Sequence, residues 1–500
     1  EIEGKQGTEV MMDGHRVLMF GSNAYTGLTG DQRVIDAGIA AMQRYGSGCA
    51  GSRFLNGTLD IHVQLEKELA EFVGKDETLC FPTGFTVNSG VISQLVDRND
   101  YIICDDRDHA SIVDGRRLSF ATQLKFKHND MEDLEKQLQK CEPNRVKLII
   151  VDGVFSMEGD LCNLPAIIEL KKKYNATVMV DEAHGLGVFG RQGRGVCDHF
   201  GLTKEVDLIM GTFSKSLASI GGFIAADSSI INWLRHTCRT YIFSASCTPA
   251  ATASAREALR IMKAEPERLE ALWNVTRYAL KRFKEEGFEI GDTESPIIPL
   301  YVRDLEKTFI VTARAFEEGV FINPVIPPAC APTDTLVRFA LMTNHTTEQV
   351  DRAVAAGATF IVSPGLNPKV TAYCLSKGVP MLPGCSNPSD IEAALELGLT
   401  TVKFFPAEAA GGLKYMLQIA EKLLRKNPKR ITFFGPLVTY TLSLMLGTGH
   451  AVYTIMPIIG DIAVKNKVRP ERPMAAASVA SQLALTGSPI SAVVACYLGK

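Results

Sequence analysis

At 500 residues, with 46% hydrophobic and 22% charged positions, the chain has material for about three domains with buried cores. A net charge of −3, from 53 Lys and Arg against 56 Asp and Glu, excludes the basic surface that a nucleic-acid partner requires. Twelve cysteines without a C-x-x-C pair read as reduced thiols of a cytoplasmic protein, which excludes a disulfide frame and a zinc site.

The amino-terminal stretch EIEGKQGTEV carries neither an initiator methionine nor an apolar signal segment, and reads as trimmed at the front. Over the next 350 residues, short apolar runs alternate with amphipathic stretches. VKLIIVDG (146–153), TVMVDEAHG (177–185) and VDLIMGTFSK (206–215) each predict a buried strand that ends in polar residues. LPAIIELKKKYN (164–175) predicts a helix between two of them. The order implies an α/β architecture, a mostly parallel sheet wrapped by helices, with chemistry at the carboxyl ends of the strands. From Pro266, PERLEALWNVTRYALKRFKEEG predicts a long helix leading into a smaller α/β lobe that ends near Arg352.

From residue 355 the rhythm changes. TFIVSPG, VPMLPG and TVKFFPAE recur at about twenty residues, the period of βα units in a barrel. Only three units are present where closure needs eight. Beyond EKLLRKNPKR, Ile431–Gly460 and Pro473–Gly499 contain no Asp, Glu, Lys or Arg, and DIAVKNKVRPER separates them. Each run is long enough to cross a hydrocarbon layer of about 30 Å as a helix. The domains expected are an amino-terminal segment with the large domain (1–265), a small domain (266–352), partial barrel units (353–420) and a hydrophobic helical segment (421–500).

The stretch GTFSKSLASIGGF (211–223) sets Lys215 among hydroxyls and small residues, as an imine-forming amine requires. Pyridoxal phosphate needs such a lysine, a carboxylate for its ring nitrogen, a donor for its ring oxygen, a stacking partner and an anion site. The chain offers Lys215, Asp181 at a strand end, His184 three residues on, and His109 in DDRDHASI. It also offers Gly84 and Phe85 in FPTGFTVNSG, opening a helix whose free N–H groups attract phosphate. Read alone, His109 serves equally as a capping loop histidine, Arg338 as the partner of a core carboxylate, and LASIGG as close packing.

FGSNAYTGL, GCAGSRFLNGTLDIH, DGVFSMEGD and MGTFSKSLASIGGF give residues 1–352 a resemblance to the α-oxoamine synthases, nearest to their bacterial serine palmitoyltransferase branch. That resemblance implies a fold-type I pyridoxal-phosphate transferase that condenses an amino acid with an acyl-CoA, releases carbon dioxide and yields a 3-keto amine. L-Serine and a palmitoyl-CoA-like thioester lead. Glycine C-acetyltransferase and 8-amino-7-oxononanoate synthase are the alternatives within the family. It implies Lys215 as imine former and base, neutral because its site is desolvated. His109 would stack on the ring, Asp181 would face its nitrogen, and His184 with Ser156 would lie near its oxygen. Thr212, Ser214, Gly84 and Phe85 would line the cofactor, and Arg338 and Asn23 would meet substrate. It implies a cytoplasmic homodimer, with about thirty residues of the family's chain preceding Glu1.

GATFIVSPGLNPKV, LPGCSNPSDIEAALELG and VKFFPAEAAGG (355–417) resemble the middle of the 2-keto-3-deoxy-6-phosphogluconate aldolases, whose imine-forming lysine would be Lys403. The strands that would supply the base and phosphate loops have no counterpart, so Lys403 is expected to be catalytically orphaned. GTGHAVYTIMPIIGDIAVKNKVRPERPMAAASVASQ and SPISAVVACYL resemble the anaerobic C4-dicarboxylate transporters. Two spans cannot build a transport path, which leaves membrane contact through 431–499 and poor solubility as expectations. The whole reads as a chimera in which the first module carries the activity. An aldehyde-lyase, a carrier fragment and an inactive fusion are the competing readings.

Overall fold

In the computed structural model, the residues described are 1–357, 361–363, 368, 371–372, 381–385, 388–399, 403–404, 424–425, 428–446 and 450–487. They fall into two units, Glu1–Gly357 and Ala358–Lys500. The first opens with strands β1 (Ile2–Glu3), β2 (Glu9–Met12) and β3 (His15–Met19). Its centre is made of β4 (Glu77–Phe81), β5 (Tyr101–Asp105), β6 (Thr122–Phe126), β7 (Lys147–Asp152), β8 (Thr177–Asp181), β9 (Leu208–Thr212) and β10 (Gly222–Ala226). These seven form one sheet in the order β4-β10-β9-β8-β7-β5-β6. Only β10 runs antiparallel to its neighbours.

Period-two alternation explains why that sheet is buried on both faces. Ile103, Ile149, Val151, Val178, Val180 and Ile209 join one hydrophobic core. Their strand neighbours Ile102, Cys104, Leu148, Ile150, Met179, Leu208 and Met210 join a second. The continuous apolar runs in the sequence are therefore two interleaved faces. The predicted helix appears at Leu164–Tyr174, with Asn163 capping its start and Asn175 in the left-handed region at its end.

Beyond the helices Pro249–Ala264 and Glu267–Glu285 lies the smaller lobe, with β11 (Ile297–Tyr301), β12 (Val320–Phe321), β13 (Asn323–Val325) and β14 (Leu336–Ala340). β11, β14 and β13 form an antiparallel sheet, while β12 pairs parallel with β3 and ties the amino terminus to this lobe. The helix Thr347–Gly357 completes the unit.

Within the second unit, β15 (Ile361–Ser363), β16 (Met381–Cys385) and β17 (Lys403–Phe404) pair in parallel, as the twenty-residue rhythm predicts. The side chain of Lys403 lies outside what is described. Among the described residues, no helix of the two charge-free runs is long and apolar enough to span. The described residues instead give Ile431–Leu446, His450–Lys465 and Glu471–Gly487. At 1.5 Å per residue each is about 25 Å long, and none is long and apolar enough to cross a membrane. Within this group Ser443 and Ser481, both fully buried, share a hydrogen bond of 2.7 Å.

Close approach of the helices Gly84–Leu95 and Ala110–Arg117 depends on Gly115. A Cβ there would stand 2.6 Å from the Asn88 carbonyl oxygen and 2.9 Å from Ile92 Cδ1. Backbone cannot yield as a flexible side chain can, so Gly115→Ala is expected to destabilise the first unit by about 1–3 kcal/mol. Both tryptophans, Trp233 and Trp273, lie in that unit, so a lowered urea midpoint by tryptophan fluorescence is the measurement; an unchanged midpoint contradicts the packing.

Candidate active site

A cavity of about 360 Å³ opens at the carboxyl ends of β7, β8 and β9, where the start of the helix Gly84–Leu95 meets them. It gathers eight residues that the sequence singles out: Gly84, Phe85, His109, Asp181, His184, Thr212, Ser214 and Lys215. Ser156, Asn23 and Arg338 do not line it. A larger hollow of about 580 Å³ gathers Arg256, Glu68, Arg260 and Glu257, charges that already pair with one another.

Each side chain is placed by local chemistry. Lys215 sits in an excursion between β9 and β10 that backbone bonds close, from Phe213 N–H to the Gly221 carbonyl (2.9 Å) and from Ser219 N–H to the Phe213 carbonyl (3.0 Å). Thr212 Oγ1 donates to the Gly221 carbonyl (3.1 Å) and lies 3.0 Å from Ser214 Oγ. Helix Gly84–Leu95 begins with a reciprocal cap, Thr86 N–H to Thr83 Oγ1 (3.1 Å) and Thr83 N–H to Thr86 Oγ1 (3.2 Å). The N–H groups of Gly84 and Phe85 have no partner among the described residues, and both residues border the cavity. A Cβ on Gly222 would meet Gly84 Cα at 2.8 Å, so glycine lets the helix start press against β10.

The Asp181 carboxylate, 2% exposed, accepts from Asn88 Nδ2 (2.7 Å) and from the Ala183 N–H (2.9 Å). His109 caps the helix Ala110–Arg117, its Nδ1 accepting from Ser111 N–H (3.2 Å), and it is also a residue of the cavity lining. Its backbone N–H donates to Asp152 Oδ2 (2.7 Å).

Burial sets the proton affinities. It lowers Lys215 to about 8, against the opposing pull of Asp181 and Asp152. By surface area Lys215 is half-buried, because the cavity beside it is open, yet the bulk around its ammonium is protein. Burial, with Lys215 and Arg338 adding to it, holds His184 well below the usual imidazole range. It lowers His109 as well. Asp152 moves the other way, upward through burial and then the charge of Asp181.

Among the described residues Arg338 meets no carboxylate. Its Nε donates to the Ser156 carbonyl oxygen (2.6 Å) and its Nη2 to Tyr25 Oη (3.3 Å). Tyr25 Oη lies 2.7 Å from His184 Nδ1 and donates at most weakly to Asn23 Oδ1 (3.3 Å). Ser156, Asn23 and Arg338 are thus linked to His184 through Tyr25 without lining the cavity.

Sequence reasoning misses Tyr25, Asn88, Asp152 and His128. Asp152 has a readable signal, since VDG and VDE both end strands and Asp152 pairs in register with Asp181. His128 lies between Asp105 Oδ1 (3.0 Å) and Asp160 Oδ2 (2.9 Å), which hold it protonated and raise its pKa to about 10. That imidazolium ties the end of β5 to the turn that carries Ser156.

Three family models match in succession. Aminotransferase class I and II covers residues 15–356, KDPG and KHG aldolase 337–424, and anaerobic C4-dicarboxylate membrane transporter 404–500. The serine palmitoyltransferase of Bacteroides ovatus is 84% identical over 354 residues, 71% of this chain and 90% of that protein. An 8-amino-7-oxononanoate synthase of Petrotoga mobilis is 42% identical over 356 residues, 71% of this chain and 91% of that protein. Among solved structures, the serine palmitoyltransferase of S. paucimobilis with a bound PLP–myriocin aldimine aligns with a TM-score of 0.70 and 36% identity. That alignment covers 71% of this chain and 92% of that one. The chain belongs to the aminotransferase class I and II family, with a fold-type I transferase module followed by pieces that match two other families.

Proposed function

We propose that the protein is a pyridoxal-phosphate-dependent α-oxoamine synthase that joins L-serine to a long-chain acyl-CoA, with loss of carbon dioxide, to give a 3-keto amine. The observation that carries this reading is one cavity bordered by Lys215, Asp181, His109, His184 and a helix start with two free N–H groups. The relatives' names select the branch. The active form proposed is a cytoplasmic homodimer, and the domain boundaries proposed are those of the sequence at 265 and 420, with the one expected at 352 carried on to Gly357, where the helix and the first unit end.

The donor set fits the cofactor. Gly84 and Phe85 N–H, with Thr83, Thr212 and Ser214 hydroxyls, suit a phosphate. Asp181, fixed by Asn88 and Ala183, suits a protonated ring nitrogen. The His109 imidazole, anchored by its cap, would be the stacking partner, and His184 would hold the ring oxygen. When bound, the cofactor supplies an electron sink for the pair left at the substrate's Cα. Lys215 Nζ holds the cofactor and then, neutral, takes the proton from Cα. Arg338 and Asn23 would act at the substrate end, both joined to His184 through Tyr25.

The reaction is tested with purified full-length chain, pyridoxal phosphate, palmitoyl-CoA and each of serine, glycine and alanine. Free CoA is expected with serine, lost at least about a thousandfold in Lys215→Ala and kept in Lys403→Ala. CoA release with glycine or alanine but not serine moves the protein to a neighbouring branch. Pyruvate release from a phosphorylated keto-deoxy sugar acid without CoA release overturns the reading.

A pKa of about 8 gives the second test. Only the unprotonated amine attacks an aldehyde, and its fraction grows about tenfold per pH unit below the pKa. Covalent capture of pyridoxal phosphate by cofactor-free chain should therefore speed up about tenfold from pH 6 to 7 and level off above 8. A rate that still climbs about tenfold per unit from pH 8 to 10, as for an exposed lysine, contradicts a recessed Lys215.

A further inference from the structure

We infer that Tyr25 is a positioning residue that fixes His184 as its Nε2–H tautomer, so that a hydrogen-bond donor faces the cavity, and that Arg338 enforces this choice. Tyr25 is a fully buried phenol, so each proton around its oxygen can be counted. Arg338 is a donor only, so its Nη2 must donate to Tyr25 Oη. The single phenolic proton then has two acceptors to choose from, His184 Nδ1 at 2.7 Å or Asn23 Oδ1 at 3.3 Å. The shorter contact is the stronger bond, and a guanidinium on the oxygen makes the O–H a better donor. Were Nδ1 protonated, the phenol oxygen would accept twice and its own proton would keep only the long contact. With Nδ1 as acceptor, a neutral His184 carries its proton on Nε2. Burial and the charges of Lys215 and Arg338 keep the ring neutral.

Tyr25 can hold this position because its backbone belongs to the other lobe. Its carbonyl accepts from Thr343 N–H (2.8 Å), and the nearby Phe20 carbonyl accepts from Ala340 N–H (2.7 Å). Its neighbour Thr26 donates through Oγ1 to the Ser216 carbonyl (2.7 Å), one residue from Lys215. A strap anchored to the small lobe thus orients His184 with one side chain and steadies the Lys215 excursion with the next.

The inference rests on the proposed function only for what Nε2–H would meet, the ring oxygen of the cofactor. The test is solid-state ¹⁵N NMR of full-length chain labelled in its histidine rings, with pyridoxal phosphate added. The ring whose signals vanish in His184→Gln should show a bare Nδ1 and a protonated Nε2. In Tyr25→Phe the Nδ1 signal should move downfield, as for an acceptor that has lost its donor, and turnover should fall about tenfold. A protonated Nδ1 in the unsubstituted chain overturns the inference, and so does a His184 ring unmoved by Tyr25→Phe. Because these spectra need no CoA release, failure here and failure of the proposed reaction are told apart.

Discussion

A carboxylate buried at the end of a strand is costly unless donors hold it, and the first unit is organised around meeting that cost at Asp181. One donor is the backbone of Ala183, which follows from the turn after β8. The other is Asn88, one turn into the helix whose free first N–H groups border the same cavity. Helix position therefore fixes two things at once, the orientation of Asp181 and the location of the anion-attracting end. The glycines serve that helix: Gly222 lets its start touch β10, and Gly115 lets the neighbouring helix close over it. Asn88 Nδ2 also reaches Ser111 Oγ (2.9 Å), itself 2.8 Å from His109 Nδ1, so the stacking candidate belongs to the same network.

Much of this was legible where chemistry is written in contiguous residues. The strand ends carrying Asp181, His184 and Lys215, and the helix start at Gly84, follow from local patterns because a parallel sheet brings its carboxyl ends together whatever the loops do. What stayed hidden depends on long closures or on backbone atoms. Tyr25 meets His184 across 159 positions, and the polarity of tyrosine alone does not name its partner. Arg338 binds a backbone carbonyl, which any residue at position 156 would offer, so no residue type announces it. His128 was missed for a related reason. Its two carboxylates come from different segments, and only the fold makes an isolated loop histidine a permanent cation.

The hydrophobic end of the chain shows how composition overstates a span. Thirty residues without charge satisfy a length criterion, yet the helices described there, Ile431–Leu446 and His450–Lys465, have 16 residues each. Absence of charge says what a segment can bury; helix length decides whether it reaches across a bilayer. Polar contacts inside the group, such as Ser443 with Ser481, satisfy groups that neither lipid nor an apolar core would.

The aminotransferase and aldolase matches overlap at residues 337–356, and packing decides which module owns them. β14 lies between β11 and β13, with Ile297 opposite Ala340 and Asn323 opposite Arg338. The helix Thr347–Gly357 is tied to Glu267–Glu285 through Asp351, which accepts from Tyr278 Oη (2.9 Å) and Arg282 Nε (3.0 Å). Val350, Ala353 and Val354 enter the core of the first unit. The apolar face of this helix and its Asp351 carboxylate are thus engaged within the first unit. The junction therefore falls after this helix, and the transferase fold keeps its last helix intact despite the change of family that begins in the sequence beside it.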